Sequence, residues 1–284
     1  MDRAYALSLK QFLHTFAKDD AARLLSYLPE GEEQELASFP DSVEFKPHSI
    51  DDELEKIHYT WFVPFLETFA KSDAHFLASA LSDTKFLKIK RRLHFSEKKI
   101  PLTETGKRFA HQTLYHWLVK SKEGYTPKNL VPRHPLKELL ALSKNELFLT
   151  FDYLGLHDLA VDLQKVVETK KIQALKKALS ENQSKYIEDI VKHGEPIAFK
   201  RLELEFWDGD LDTLHTMVHT RGINRISKAL YGCPPSLLWH IRHSLDTGRA
   251  RLLDRFLVNP HNEKVQDILL NQVLKAVKHV QGGI

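Results

Sequence analysis

Apolar residues recur along most of this chain at helical rather than strand spacing. In the segment Phe12 to Leu28, FLHTFAKDDAARLLSYL, residues Ala21, Leu24, Leu25 and Leu28 fall at i, i+3, i+4 and i+7, the stripe of a helix packed on one side. Fifty-three residues later, Phe65 to Leu81 reads FLETFAKSDAHFLASAL, identical at eleven of the seventeen positions, with Ala74, Leu77, Ala78 and Leu81 in the same register. Two unrelated amphipathic helices would share apolar character but not the string Phe-Leu-x-Thr-Phe-Ala-Lys-x-Asp-Ala, so the pattern reads as an internal duplication. In each copy one helix is expected to end near the lysine and the next to begin near Asp20 or Asp73, whose carboxylate would accept the unpaired amides of a helix start. Leu24 and Leu77 are then equivalent positions, both expected to be buried in superposable helical hairpins.

The same pattern continues. Phe39 to Ser49, with Pro40 and Pro47, reads as a connection, and Ile50 to Phe69 as a long helix strained at Pro64. Thr103 to Lys120 gives another amphipathic helix, and the proline-containing stretch KSKEGYTPKNLVPRHP marks a boundary. Leu136 to Ala178 reads as helices punctuated by Ser143, Gly155 and Thr169, followed by a polar helix opened by Ser180 and ended by Gly194. FKRLELEF, residues 199–206, alternates and fits a short strand or a helix start. Asp212–His219, Gly222–Leu230, Pro235–Ser244, Gly248–Val258 and Glu263–Val280 read as closely spaced helices. The expected organisation is all-α, built from helical repeats in two or three subdomains: a duplicated helical-repeat domain over 1–120, a linker over 121–135, and a helical domain over 136–284 that ends in a long amphipathic helix.

Composition supports this reading, because 11 Gly and 12 Pro are too few for the tight turns of a sandwich or barrel of short strands. The start, MDRAYALSLKQFLHTF, lacks the apolar run and small-residue site of a secretory signal, and no stretch approaches a membrane span, so the expectation is an intracellular protein that meets membranes through partners. A single cysteine, Cys233, excludes an intrachain disulfide and fits a reducing compartment. A formal charge of +3 does not select a polyanion partner.

Candidate chemistry is sparse. His215 and His219 stand four apart, and His240 and His243 three apart with Asp246 beyond, so each pair has the spacing of metal ligands on one helix face. DGDLD at Asp208 to Asp212 lacks the glycine and glutamate of a calcium loop and reads as a capped helix start. ETGKR at Glu104 to Arg108 lacks the earlier glycine of a phosphate cradle, and Cys233 has no activating neighbours in sequence. The expectation is a protein that is not an enzyme and has no cofactor. The strongest electrostatic feature is the basic run from 85 to 99, centred on Lys85, Lys88, Arg91 and Arg92. Nucleic-acid binding through that run is one alternative function and a His-ligated metal enzyme another.

At Leu159 to Pro196 the chain reads LAVDLQKVVETKKIQALKKALSENQSKYIEDIVKHGEP. Leu159, Ala160 and Leu163 fall on a Leu-Ala-x-x-Leu-Lys helix with Lys165 displaced by one residue, Asn182, Ser184 and Lys185 on an Asn-x-Ser-Lys string, and Glu188, Asp189 and Gly194 on a Glu-Asp-…-Gly ending. Together these motifs resemble the carboxy-terminal armadillo-like region of the flagellar motor switch protein FliG. LFLTFDYL at Leu147 to Leu154 is similar to that family's Met-Phe-x-Phe segment, and the duplicated helices are similar to its amino-terminal repeats. The family's Glu-His-Pro-Gln segment is absent, with Arg133, His134 and Pro135 in a comparable place. The resemblance therefore implies a divergent relative in a type III secretion apparatus: a scaffold of armadillo-like bundles, peripheral to the inner membrane, with a membrane-ring protein and soluble ring or sorting-platform proteins as partners, and a homo-oligomer as a further expectation. It also implies that Leu159, Leu163, Lys165, Asn182, Ser184, Lys185, Asp189 and Gly194 belong to an interaction region.

Overall fold

The computed structural model describes residues 6, 9–10, 12–13, 16–39, 49–120, 125–164, 169–193, 197, 204 and 207–282. Every regular element among the described residues is helical. None of these helices is long and apolar enough to cross a membrane. The chain divides into two compact units: Met1–Lys56 with Phe62–Arg133 and Pro234–Trp239, and Ile57–Trp61 with His134–Cys233 and His240–Ile284.

In the first unit the helices are α1 Lys18–Leu25, α2 Glu32–Ser38, α3 Ile50–Lys56, α4 Val63–Leu66, α5 Lys71–Ser79, α6 Asp83–Leu93 and α7 Glu104–Lys120. The two copies of the duplicated segment agree locally. α1 and α5 both start one residue after an extended alanine, Ala17 and Ala70, and each is preceded by an edge-to-face phenylalanine pair at 4.8 Å, Phe12–Phe16 and Phe65–Phe69. Asp20 and Asp73 are not the caps. They sit in the first turn, where a carboxylate favours the positive end of the helix dipole.

Burial separates the copies. Leu77 is 4% exposed and Leu24 38%, so the expectation that Leu24 is buried is wrong. The physical reason is what lies on each helix: α5 packs against α6 and α7, whereas Ala21, Leu25 and Leu28 of the first copy lean on a small cluster of Ala6, Leu13 and Leu36 that leaves Leu24 outside.

The expected long helix over Ile50 to Phe69 is also broken. His58 N–H donates to the His243 carbonyl at 2.8 Å and the Trp61 indole to the Leu245 carbonyl at 2.9 Å, so long-range bonds replace the helical ones between α3 and α4. Pro64 lies in the first turn of α4, where its missing N–H costs no intrahelical bond.

Beyond Arg133 a 3₁₀ run, Pro135–Ala141, leads to α8 Lys144–Leu163, α9 Thr169–Ala178, α10 Glu181–His193, α11 Leu211–Ala229, α12 Pro235–Ser244, α13 Thr247–Phe256 and α14 Glu263–Gln281. Ser143 and Glu146 form a capping box that starts α8, and Ser180 and Gln183 exchange the equivalent bonds before α10. Gly155 and Gly222 do not punctuate helices as their type suggests; each lies inside one. A Cβ on Gly155 of α8 would sit 1.9 Å from the Val218 carbonyl oxygen of α11, and one on Gly222 would sit 1.7 Å from the Phe151 carbonyl oxygen of α8. The two glycines face each other's helix reciprocally and let α8 and α11 cross backbone to backbone at the centre of the second unit. Gly194 and the 199–206 segment, except Leu204, lie outside the described residues.

Candidate functional site

The second unit carries a half-open cleft of about 470 Å³ between α8, α10, α11 and α13. Its floor is apolar, from Leu156, Leu214, Val218 and Ile223, and its mouth carries Asp152, His215, His219 and Arg249. His219 Nδ1 lies 2.7 Å from Asp152 Oδ1, and Arg249 Nε donates to His219 Nε2 at 2.9 Å. A guanidinium can only donate, so Nε2 is the acceptor nitrogen and Nδ1 carries the proton toward Asp152. The Arg249 guanidinium also reaches Asp246 Oδ2 at 2.6 Å and lies 4.4 Å from the Phe148 ring centre. Asp246 in turn caps α13 through the amides of Gly248 and Arg249. Burial opposes ionisation of Asp246, and the hydrogen bonds from the Arg249 amide and guanidinium outweigh it, holding the carboxyl below its usual range. A carboxylate aligned on an imidazole is the orientation a general base needs, but here the basic nitrogen is occupied by the guanidinium. The chain from Asp152 through His219 and Arg249 to Asp246 is a polar strut joining α8, α11 and α13.

A second polar network lies under the helix crossing. Arg225, 1% exposed, donates to Asp158 Oδ1 at 2.6 Å, to Gln272 Oε1 at 2.7 Å and to the Ile197 carbonyl at 2.8 Å. His157 is buried beside it with Nε2 3.3 Å from the Tyr186 hydroxyl. Burial, with Arg225 and Lys275 adding to it, pushes the His157 imidazole down to about 3, so it is neutral across the physiological range. The Tyr186 phenol is raised by the same burial.

The first unit has a shallower, more open cleft of about 670 Å³ on the outer face of α7. Phe65 stacks on Trp117 at 4.8 Å with ring planes 18° apart, and Ile50, Phe109 and Tyr115 extend this apolar surface. Gln112, Thr113, His116 and Lys120 form its polar edge, and Phe109 is 60% exposed. Such an arrangement, apolar at the centre and polar at the rim, has the composition of a protein-contact surface.

The residues singled out from sequence distribute unevenly. Leu159 is fully buried and Leu163 half-buried, so both are packing positions; for Leu159 this corrects the expectation of an interaction residue. Asn182, Ser184, Lys185 and Asp189 lie on α10. Lys185 pairs with Glu181 at 2.6 Å, and Asp189 accepts from Lys275 of α14, which holds its carboxyl below the usual range. Lys165 and Gly194 lie outside the described residues.

The basic run is not one patch. Lys85 is buried, and its ammonium donates to the carbonyls of Leu54 and Glu55 at the end of α3, which removes it from any surface that a polyanion meets. Burial, opposed in part by Glu55, pulls Lys85 down to about 8. Lys90 donates to the carbonyls of Ser96 and Glu97, and Lys99 pairs with Asp83 at 2.6 Å. Lys88, Arg91 and Arg92 remain exposed.

Of the histidine pairs, His219 is engaged in the strut, while His243 is buried with its ring 4.3 Å from that of Trp61. Among the described residues, no three His, Cys, Asp or Glu are gathered at metal-binding distances. Asp210 caps α11 through the Thr213 amide at 2.8 Å, the capped start read from DGDLD.

Sequence reasoning missed the strut, the Arg225 network and the α7 cleft. Asp152 and His219 are 67 residues apart, and nothing local links them. The cleft left a trace: Phe109 shares its helix face with Gln112, Thr113 and His116, an apolar residue on a polar stripe. No family model, curated protein or solved structure matches the chain.

Proposed function

We propose that this chain is a non-enzymatic adaptor with armadillo-like helical bundles, linking the cytoplasmic face of a type III secretion or flagellar base to soluble ring components. The observation that carries the adaptor reading is the α7 cleft: an open aromatic surface of Phe65, Phe109 and Trp117 edged by polar side chains, suited to the apolar face of a partner helix. The strut in the other unit agrees with it, since the imidazole nitrogen of His219 that a general base would use is spent on Arg249. The assignment to a secretion or flagellar base rests on the motifs between Leu159 and Gly194 that resemble the switch-protein family. On this reading the protein reaches the membrane by docking. Phe109→Glu, an exposed change that leaves the core intact, abolishes recruitment to the membrane ring, read as loss of the protein from the membrane pellet of cells that assemble the base. Unchanged recruitment of that variant contradicts the proposal.

A further inference from the structure

α11 carries two adjoining rows along the cleft of the second unit. Leu214 and Val218, four apart, are buried in its floor, and His215 and His219, one residue further on, stand at its mouth. Each of two neighbouring helices adds one charge at the mouth and one apolar side chain about a turn further along: Asp152 and Leu156 from α8, Arg249 and Leu252 from α13. The cleft is therefore apolar within and bears one carboxylate and one guanidinium at its edge. Its volume of about 470 Å³ is that of a small-molecule site.

The strut does not use up these charges. It engages Asp152 through Oδ1 and Arg249 through Nε and Nη1. Asp152 Oδ2 and Arg249 Nη2 have no hydrogen-bond partner among the described residues. The two side chains are 34% and 37% exposed, so a ligand can reach both from solvent. A simple anion on Arg249 would bring its charge toward Asp152, and a simple cation on Asp152 would face Arg249. A molecule that carries both charges is matched at both ends. The His219 ring sets the scale, because it bridges Asp152 and Arg249 with a donor and an acceptor nitrogen bonded to one shared carbon. An α-amino acid likewise carries its ammonium and its carboxylate on one carbon. The geometry points to this cleft as a binding site for a free apolar α-amino acid, with the ammonium on Asp152 Oδ2, the carboxylate on Arg249 Nη2 and the side chain against Leu156, Leu214 and Val218. The site goes beyond the adaptor reading and does not depend on it, since it needs no partner protein.

The test is isothermal titration calorimetry of the full chain at pH 7 with L-leucine and L-phenylalanine. The tighter binder is then compared with its N-acetyl derivative, which lacks the ammonium, and its amide, which lacks the carboxylate. Saturable binding of the amino acid is expected with a Kd on the order of 0.1 to 1 mM, weakened at least about tenfold in each derivative. Asp152→Asn keeps an oxygen for the His219 Nδ1–H and removes the charge, and is expected to weaken binding by a similar factor. The two derivatives need no protein variant, so the result stands even where Asp152→Asn lowers stability. The inference is overturned by absence of saturable binding of both amino acids up to about 20 mM. Equal binding of either derivative, or full binding by a folded Asp152→Asn protein, overturns it as well.

Discussion

His157 makes the second unit sensitive to acid in a calculable way. Its imidazole is held at about 3 in the folded chain by burial and by Arg225 and Lys275, against an ordinary value of 6.5. The unfolded chain therefore takes up a proton below 6.5 that the folded chain refuses. The stabilisation is fully present above pH 6.5 and is lost as the pH falls toward 3. Well inside that window each pH unit removes about 1.4 kcal/mol, so moving from pH 6.5 to pH 4.5 costs roughly 2 kcal/mol through this one group. His157→Gln keeps a polar partner for the Tyr186 hydroxyl and cannot titrate. The assay is amide hydrogen exchange of α8 peptides in wild type and variant at pH 7 and pH 4.5, corrected for intrinsic exchange. Carboxylates titrate in both proteins and cancel in the comparison. The wild type is expected to lose about 2 to 3 kcal/mol more protection than the variant across this window. Parallel losses would refute the idea that His157 is held neutral by its surroundings.

Arg225→Met leaves the Asp158 carboxylate buried without its cation, and chemical denaturation is expected to show a loss of roughly 3 to 5 kcal/mol in the second unit. Gly155→Ala and Gly222→Ala each drive a methyl into a backbone carbonyl and are expected to cost about 3 kcal/mol or more, read as a fall in melting temperature. Lys85, held at about 8 against 10.5 unfolded, contributes stability that is present above 10.5 and lost as the pH falls through 8. Lys85→Met is therefore expected to flatten a rise of about 3 kcal/mol between those limits in pH-dependent unfolding.

Periodicity made the helices legible because a stripe at i, i+3, i+4 and i+7 depends only on local geometry. α7, α12 and α14 fall within a residue of the ranges it predicts. It misled where tertiary structure decides. Gly155 and Gly222 look like breaks by residue type, yet each is a contact point for another helix backbone, which no local window reveals. The Ile50–Phe69 stretch has a helical pattern but surrenders its middle to bonds with the His243 and Leu245 carbonyls, nearly two hundred residues away. Lys85 reads as surface charge and is instead a buried cap on the end of α3. The duplication was visible as a string, but burial belongs to what packs on each copy, so Leu24 and Leu77 share a sequence and not an environment.

The adaptor account is tested most directly by affinity purification of the full chain from its native cells, in parallel with Phe109→Glu and with charge reversal at Lys88, Arg91 and Arg92. The account predicts that the wild type and the charge-reversed protein recover ring components of a type III secretion or flagellar base, and that Phe109→Glu loses them. Recovery of nucleic acid without such components, lost on charge reversal and kept by Phe109→Glu, would contradict it.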